Sequence, residues 1–299
     1  LCGVSASPLR ESDLWSMQAL PGEVAIPAVV GDRWVVNPVD NFILSKLFER
    51  GLHPTREEAD RYTLIRRLSL GLTGLPPSVP DIRQFVDDES EEAYANLVER
   101  LLKSSHFGER WGRHWLDVVR FGESDGVLTV NEDKVRGNAW KFRDAVIRAF
   151  NEDLPFDKFV HYHLAPPASY EPDKARYAEL RQFMHLGTRL QNNSDPNDKQ
   201  FHRLDDMVAT TGTAFLGFTF GCARCHDHPV DPMSTEEYYQ FTAFYFDQFS
   251  VAPKASRKKI DLVVKEPRVL LKGSWRSPGK AVSPGFLQVL MRRNADYWL

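Results

Sequence analysis

For most of the chain, apolar residues recur at helical rather than alternating spacing, and the breaks between runs carry start and stop signals. Asn37-Pro38 sets a capping residue before proline at the first helical position, and Gly51 ends that helix. Thr55 is placed to cap a second helix reaching Gly71 and Gly74, and Leu75-Pro76-Pro77-Ser78 is a break followed by a new cap. Glu91 to Lys103 carries Ala93, Leu97 and Leu101 on one helical face. In Phe107 to Phe121, the residues Trp111, His114, Trp115 and Val118 fall at i, i+3, i+4 and i+7. That pattern predicts a buried face with His114 pointing inward between two tryptophans. Asn138 to Phe150, Phe156 to Leu164 and Arg203 to Phe218 read as further helices, the last leading into a pair of cysteines. Ser234-Thr235-Glu236-Glu237 has the form of a capping box and opens an aromatic helix through Tyr238, Phe241 and Tyr245.

The character changes after Val251. Ile260 to Val264 and Arg268 to Leu271 are short β-like runs, punctuated by Gly273, Pro278 and Pro284. The expected fold is therefore mainly α: a multi-helix orthogonal domain with a C-terminal segment of short strands starting a second domain. Residues 1–36 form an irregular lead-in, 37–250 the helical domain, and 251–299 the start of an incomplete second domain. The Asx-rich stretch 192–198 lacks the alternation and terminal glutamate of a calcium hand and reads as a turn.

At 42% hydrophobic and 26% charged, the 299 residues suffice for a large core. A net charge of −3 leaves no basic footprint for nucleic acid or anionic lipid. No apolar run is long enough to cross a bilayer, so no transmembrane segment is expected. Beginning at Leu1 and ending on Tyr297-Trp298-Leu299, the chain reads as a piece of a longer protein with further domains, so the lack of an export signal says little about compartment. Three cysteines are too few for a disulfide scaffold, and Cys2 stands alone.

The other two lie in GCARCHDHPVDP, Gly221 to Pro232. In Cys-x-x-Cys-His, two thiols add across the haem vinyl groups and the adjacent histidine becomes an axial iron ligand. Cys222, Cys225 and His226 fit that chemistry. Zinc is a rival, with Cys222, Cys225, one of His226 or His228, and a fourth ligand from His202, His185 or His114. A redox dithiol would need a helix N-terminus after a strand, whereas a helix precedes this motif. A plain turn with two thiols remains the simplest alternative. There is no Gly-rich phosphate loop, G-x-S-x-G elbow or H-E-x-x-H.

The segment LDDMVATTGTAFLGFTFGCARCHDHPVDPMSTEEYYQFTAFY resembles the planctomycete-type cytochrome c domain family. So do LIRRLSLGLTGLPPS, SSHFGERWGRHWLDVVRFGESDG and NAWKFRDAVIRAFNEDLPFDKFV; together the matches cover about residues 34–250. Pro229, where the family usually carries a basic residue, and Met233, where an aliphatic is usual, depart from its pattern. The resemblance implies haem c on Cys222 and Cys225 with His226 axial, in a large extracytoplasmic protein, periplasmic or at the cell surface. The expected function is electron transfer with unidentified redox partner proteins, within or beside an oxidoreductase. The alternatives are an enzyme acting on extracellular polysaccharide with the Cys/His cluster at its centre, and a structural zinc-site scaffold.

With haem bound, the second axial position needs a ligand. His228 is too near His226 to reach it, which leaves His114 first and Met207 second. The alternative for His114 is a core histidine bonded to a backbone carbonyl. Arg113, Arg120, Arg143 and Arg224 are candidates for pairing with haem propionates. Asp205, Asp206, Asp227 and Asp231 cluster around the motif, and with His228 they are candidates for supporting it, a carboxylate orienting an imidazole by accepting its second N–H.

Overall fold

The computed structural model describes residues 21–29, 34–55, 57–124, 135–165, 175–187, 195–250 and 264–291. Cys2, residues 192–194 and most of the first β-like run lie outside them. The described chain is mainly helical and forms two compact units that divide at Leu101/Leu102.

The first unit holds α1 (Pro38–Glu49), α2 (Arg61–Leu72), α3 (Val79–Val86) and most of α4 (Ala93–Leu102). Asn37 caps α1 in a capping box closed by Asp40, and Gly51 follows at φ +66°. The cap of α2 is Asp60, five residues beyond Thr55; its carboxylate accepts from Thr63 N–H at 2.9 Å. Ser78 caps α3 as expected. Ile65, Phe85, Ala93 and Leu97 make the core of this unit, and the Arg61 guanidinium lies over the Phe85 ring while bonding the Asp88 carbonyl at 2.7 Å.

The second unit contains α5 (Ser105–Val118), α6 (Ala139–Asn151), α7 (Phe156–Leu164), a 3₁₀ segment Ala178–His185, α8 (Pro196–Thr211) and α9 (Thr235–Ser250). Strand β1 (Arg268–Leu270) pairs antiparallel with β2 (Pro278–Ala281), and α10 (Gln288–Met291) follows. Helix α8 begins at the Asp195 cap and Pro196, earlier than expected, so the described end of the Asx-rich stretch is a helix start. Val264, Leu270, Leu287 and Val289, expected to open a second domain, are buried in one core with Leu204, Met207, Phe220 and Phe241.

Helix α5 buries a different face from the one the apolar pattern predicts. Gly108, Gly112 and Leu116 are buried, while Trp111 and Val118 are 40% and 48% exposed and His114 is exposed. The reason is close approach to α6: a Cβ on Gly108 would lie 2.4 Å from the Ile147 carbonyl oxygen, and one on Gly112 would lie 3.4 Å from Val146. Hydropathy ignores glycine, yet here glycine makes the contact face. Gly108→Ala must push the two backbones apart and is expected to cost about 1–3 kcal/mol in urea unfolding. Gly71→Ala, on an open surface with nothing within 4 Å, is expected to be neutral or to stabilise by up to about 1 kcal/mol through helix propensity.

Candidate functional site

The motif is presented by an alternating segment between α8 and α9. After α8 the helix widens into a π turn, Gly212–Leu216, and stops at Gly217 with φ +71°. Phe218 and Phe220 then turn inward, each 1% exposed. Phe220 sits so close over Gly212 that a Cβ there would fall 2.0 Å from its ring. A 3₁₀ turn, Phe220–Arg224, carries the cysteines, with Cys225 N–H 3.3 Å from Cys222 O. Cys222 lies within this turn and Cys225 is its C-terminal cap. Ala223 between them is fully buried, and both cysteines are free and exposed.

His226 follows them, also exposed. Its Nδ1 is 2.7 Å from the Asp227 carbonyl oxygen, which can only accept, so Nδ1 is the donor here and in the neutral ring the lone pair is on Nε2. An imidazole in this tautomer is ready for a metal at Nε2. The partner is the backbone oxygen of Asp227 rather than its carboxylate, which caps α9 by accepting from Thr235 N–H at 2.8 Å.

His228 is set apart from this chemistry. It is 6% exposed, and its Nδ1 accepts from the Asp231 N–H at 2.6 Å. Its Nε2–H donates to Thr219 Oγ1 at 3.0 Å, and that hydroxyl donates to Asp231 Oδ2 at 3.0 Å. Both ring nitrogens are thus spent in tying the loop after the motif to the segment before it. Among the described residues no group of three or more His, Cys, Asp or Glu is arranged to hold a metal ion, and zinc ligation by His228 would break this knot.

Arg224, between the cysteines, points into the protein. Its Nη1 meets Asp205 Oδ2 at 3.0 Å, and its Nη2 meets the Gly273 carbonyl at 3.2 Å. Asp205 Oδ1 accepts from the Tyr238 hydroxyl at 2.6 Å, and the Tyr239 hydroxyl donates to the Arg224 carbonyl at 3.0 Å. Burial, then the Asp205 charge, push the Tyr238 hydroxyl well above its ordinary range, so it is a fixed donor. Gly273, at φ +67°, lies against the motif: a Cβ there would be 2.7 Å from Cys225 Sγ.

The remaining expected residues are dispersed. Asp206, the neighbour of Asp205, instead receives both arms of Arg120, with Nε–Oδ1 at 2.8 Å. Arg113 pairs with Asp117 on the surface, and Arg143 pairs with Glu123 and Asp144. All four arginines named for propionates therefore already hold carboxylates of the chain. Met207 is 1% exposed within the core, and the ring beside His114 is Trp111, 5.5 Å away. The core histidine expected as the alternative for His114 exists, but at His163. Its Nδ1–H donates to the Phe159 carbonyl at 2.7 Å and its Nε2 accepts from Trp115 Nε1–H at 3.1 Å. Sequence reasoning missed Tyr238, Tyr239, Gly273 and Thr219; the Tyr-Tyr pair just after the capping box was the visible signal.

The family model of PSCyt2, a protein of unknown function (DUF1549), matches residues 38–249. The chain belongs to the PSCyt2 family. This is a planctomycete cytochrome-type family without an established function, and the resemblance noted in the sequence is thereby shown. No curated protein and no solved structure matches the chain. The PSCyt2 match contains the whole motif with α8 and all but the last residue of α9 and stops before β1, whereas Gly273, which touches the motif, lies beyond it.

Proposed function

We propose that this chain is a c-type haem-binding electron-transfer domain of an extracytoplasmic protein. The observation that carries the reading is two free, exposed thiols at a 3₁₀ turn and its cap, followed directly by an exposed imidazole whose Nδ1 lies at the Asp227 carbonyl, away from Nε2. The donor set fits haem c: Cys222 and Cys225 would hold the porphyrin through thioethers and His226 would supply one axial nitrogen. When bound, the haem supplies one-electron oxidation and reduction at its iron. The chain's own part is to fix the attachment segment. Phe218, Phe220 and Ala223 anchor it in the core, Arg224 ties it to α8 and to Gly273, and the His228–Thr219–Asp231 knot closes the loop behind it. Attachment of haem c outside the cytoplasm implies the periplasm or cell surface, and redox proteins as partners. His114, exposed on α5, remains the first proposal for the second axial ligand because Met207 would have to leave the core.

The test is production with haem-attachment machinery, followed by visible spectroscopy after denaturation and acid-acetone extraction. A Soret band that stays with the polypeptide is expected, lost in Cys222→Ala/Cys225→Ala. His226→Ala is expected to retain attachment and change the axial-ligand bands. Colourless, iron-free protein made under those conditions would refute the assignment.

A further inference from the structure

A cavity of about 280 Å³ in the second unit has no part in the motif. Its walls include Phe107 and Trp115 of α5, Phe150 of α6, and Phe156 and Phe159 of α7, with Asp153 from the α6–α7 connection. The rings are set steeply to one another: Trp115 meets Phe159 edge-on at 68°, and Phe150 meets it at 71°. Among the described lining residues the single charge is Asp153.

Asp153 has φ +49°, a left-handed conformation open mainly to glycine, asparagine and aspartate. It breaks one local preference: it places a carboxylate just past the C-terminal end of α6, where the helix dipole is already negative and a cation, such as Arg148 of the last turn, is preferred. Residues that violate local preference without a structural gain concentrate at binding sites. Here a residue that carries a carboxylate, just past the α6 terminus, lines the same cavity as five aromatic rings, whose π faces are themselves negative. The positive end of α7 is balanced by its own Asp157 in the first turn.

These features select a cation, and the scarcity of acceptors selects its type. The Phe150 and Ala149 carbonyls already accept from Asp153 N–H and Leu154 N–H at 3.3 and 2.9 Å. A primary ammonium would bring three N–H donors to essentially one acceptor, whereas a methylated ammonium needs none and gives up little hydration. We propose that the cavity bounded by α5, α6 and α7 binds a small quaternary ammonium ion, or the trimethylammonium end of a larger molecule, on its aromatic walls and Asp153. A site near the lower end of ligand-pocket volumes, about 300 Å³, suits an ion of this size. The proposal stands whether or not haem is attached.

The test is calorimetric titration of the full chain with choline chloride and, separately, with its neutral isostere 3,3-dimethylbutanol. Choline is expected to bind saturably and about tenfold more tightly than the alcohol. Asp153→Asn, which suits the left-handed backbone, is expected to weaken choline about fivefold or more and to leave the alcohol unchanged. Phe156→Ala, at a ring 64% exposed and therefore tolerant of truncation, is expected to weaken choline as well. No saturable choline binding by the folded wild-type chain, equal affinity for the two probes, or choline binding indifferent to both substitutions would each overturn the proposal.

Discussion

Asp205→Ala is expected to lower the unfolding free energy by about 3 kcal/mol. The carboxylate serves two donors at once, Arg224 at 3.0 Å and the Tyr238 hydroxyl at 2.6 Å. Removing it leaves a guanidinium with only the Gly273 carbonyl, and a hydroxyl on a residue 2% exposed with no acceptor. Breaking a fully buried pair costs about 3–5 kcal/mol. The Arg224 and Asp205 side chains keep 33% and 28% of their exposure, so water recovers part of the charge term and the lower end applies. For a unit of this size the midpoint of a thermal melt should fall by roughly 6–12 °C. Asp205→Asn keeps an acceptor for Tyr238 but loses the ion pair, and is expected to fall between wild type and alanine. If alanine lies within about 0.5 kcal/mol of wild type, the ordinary range for surface changes, the network contributes nothing to holding the motif.

What could be read from the chain, and what could not, follows the range of the forces involved. The Asn37, Ser78 and Ser234–Glu237 caps were legible because a cap is decided within four residues, and all three form. The cysteine pair and His226 were legible as a motif because they fall within five consecutive residues. Their supports were not: Tyr238 reaches Asp205 across 33 positions and Arg224 reaches Gly273 across 49, distances at which sequence pattern carries no signal. The neighbours Asp205 and Asp206, which the sequence does not tell apart, show the limit closely. Two identical residues in sequence stand about 100° apart on a helix, enough to send one to Arg120 and the other to Arg224. On α5 the error came from treating glycine as blank. Trp111, His114 and Val118 face outward because the contact with α6 is made through Gly108 and Gly112, Trp115 alone of the stripe packs on the core, and the histidine buried among rings is the one on α7.

That buried histidine should make the protein lose stability in mild acid. His163 has no exposure and sits among Trp115, Phe142, Phe159, Phe183 and Phe215. Burial lowers it from 6.5 to about 4, only partly offset by the hydrogen bond to Phe159. The unfolded chain therefore takes up a proton between pH 6.5 and 4 that the folded chain refuses, and the linkage favours unfolding as pH falls. The contribution is complete above pH 6.5. It declines by about 2 kcal/mol at pH 5 and by about 3 kcal/mol at pH 4, below which this group adds little further loss. Urea unfolding of the wild type and of His163→Gln, measured from pH 7.5 to 4.5, isolates the effect. The variant is less stable throughout because the aromatic cage is disturbed, yet its stability should change far less over the interval in which a carboxylate with an ordinary pKa is still ionised. Parallel pH dependences for the two proteins would mean that His163 accepts its proton without leaving the fold. The neutral ring, donating to Phe159 and accepting from Trp115, would then not be the state that holds α5 and α7 together.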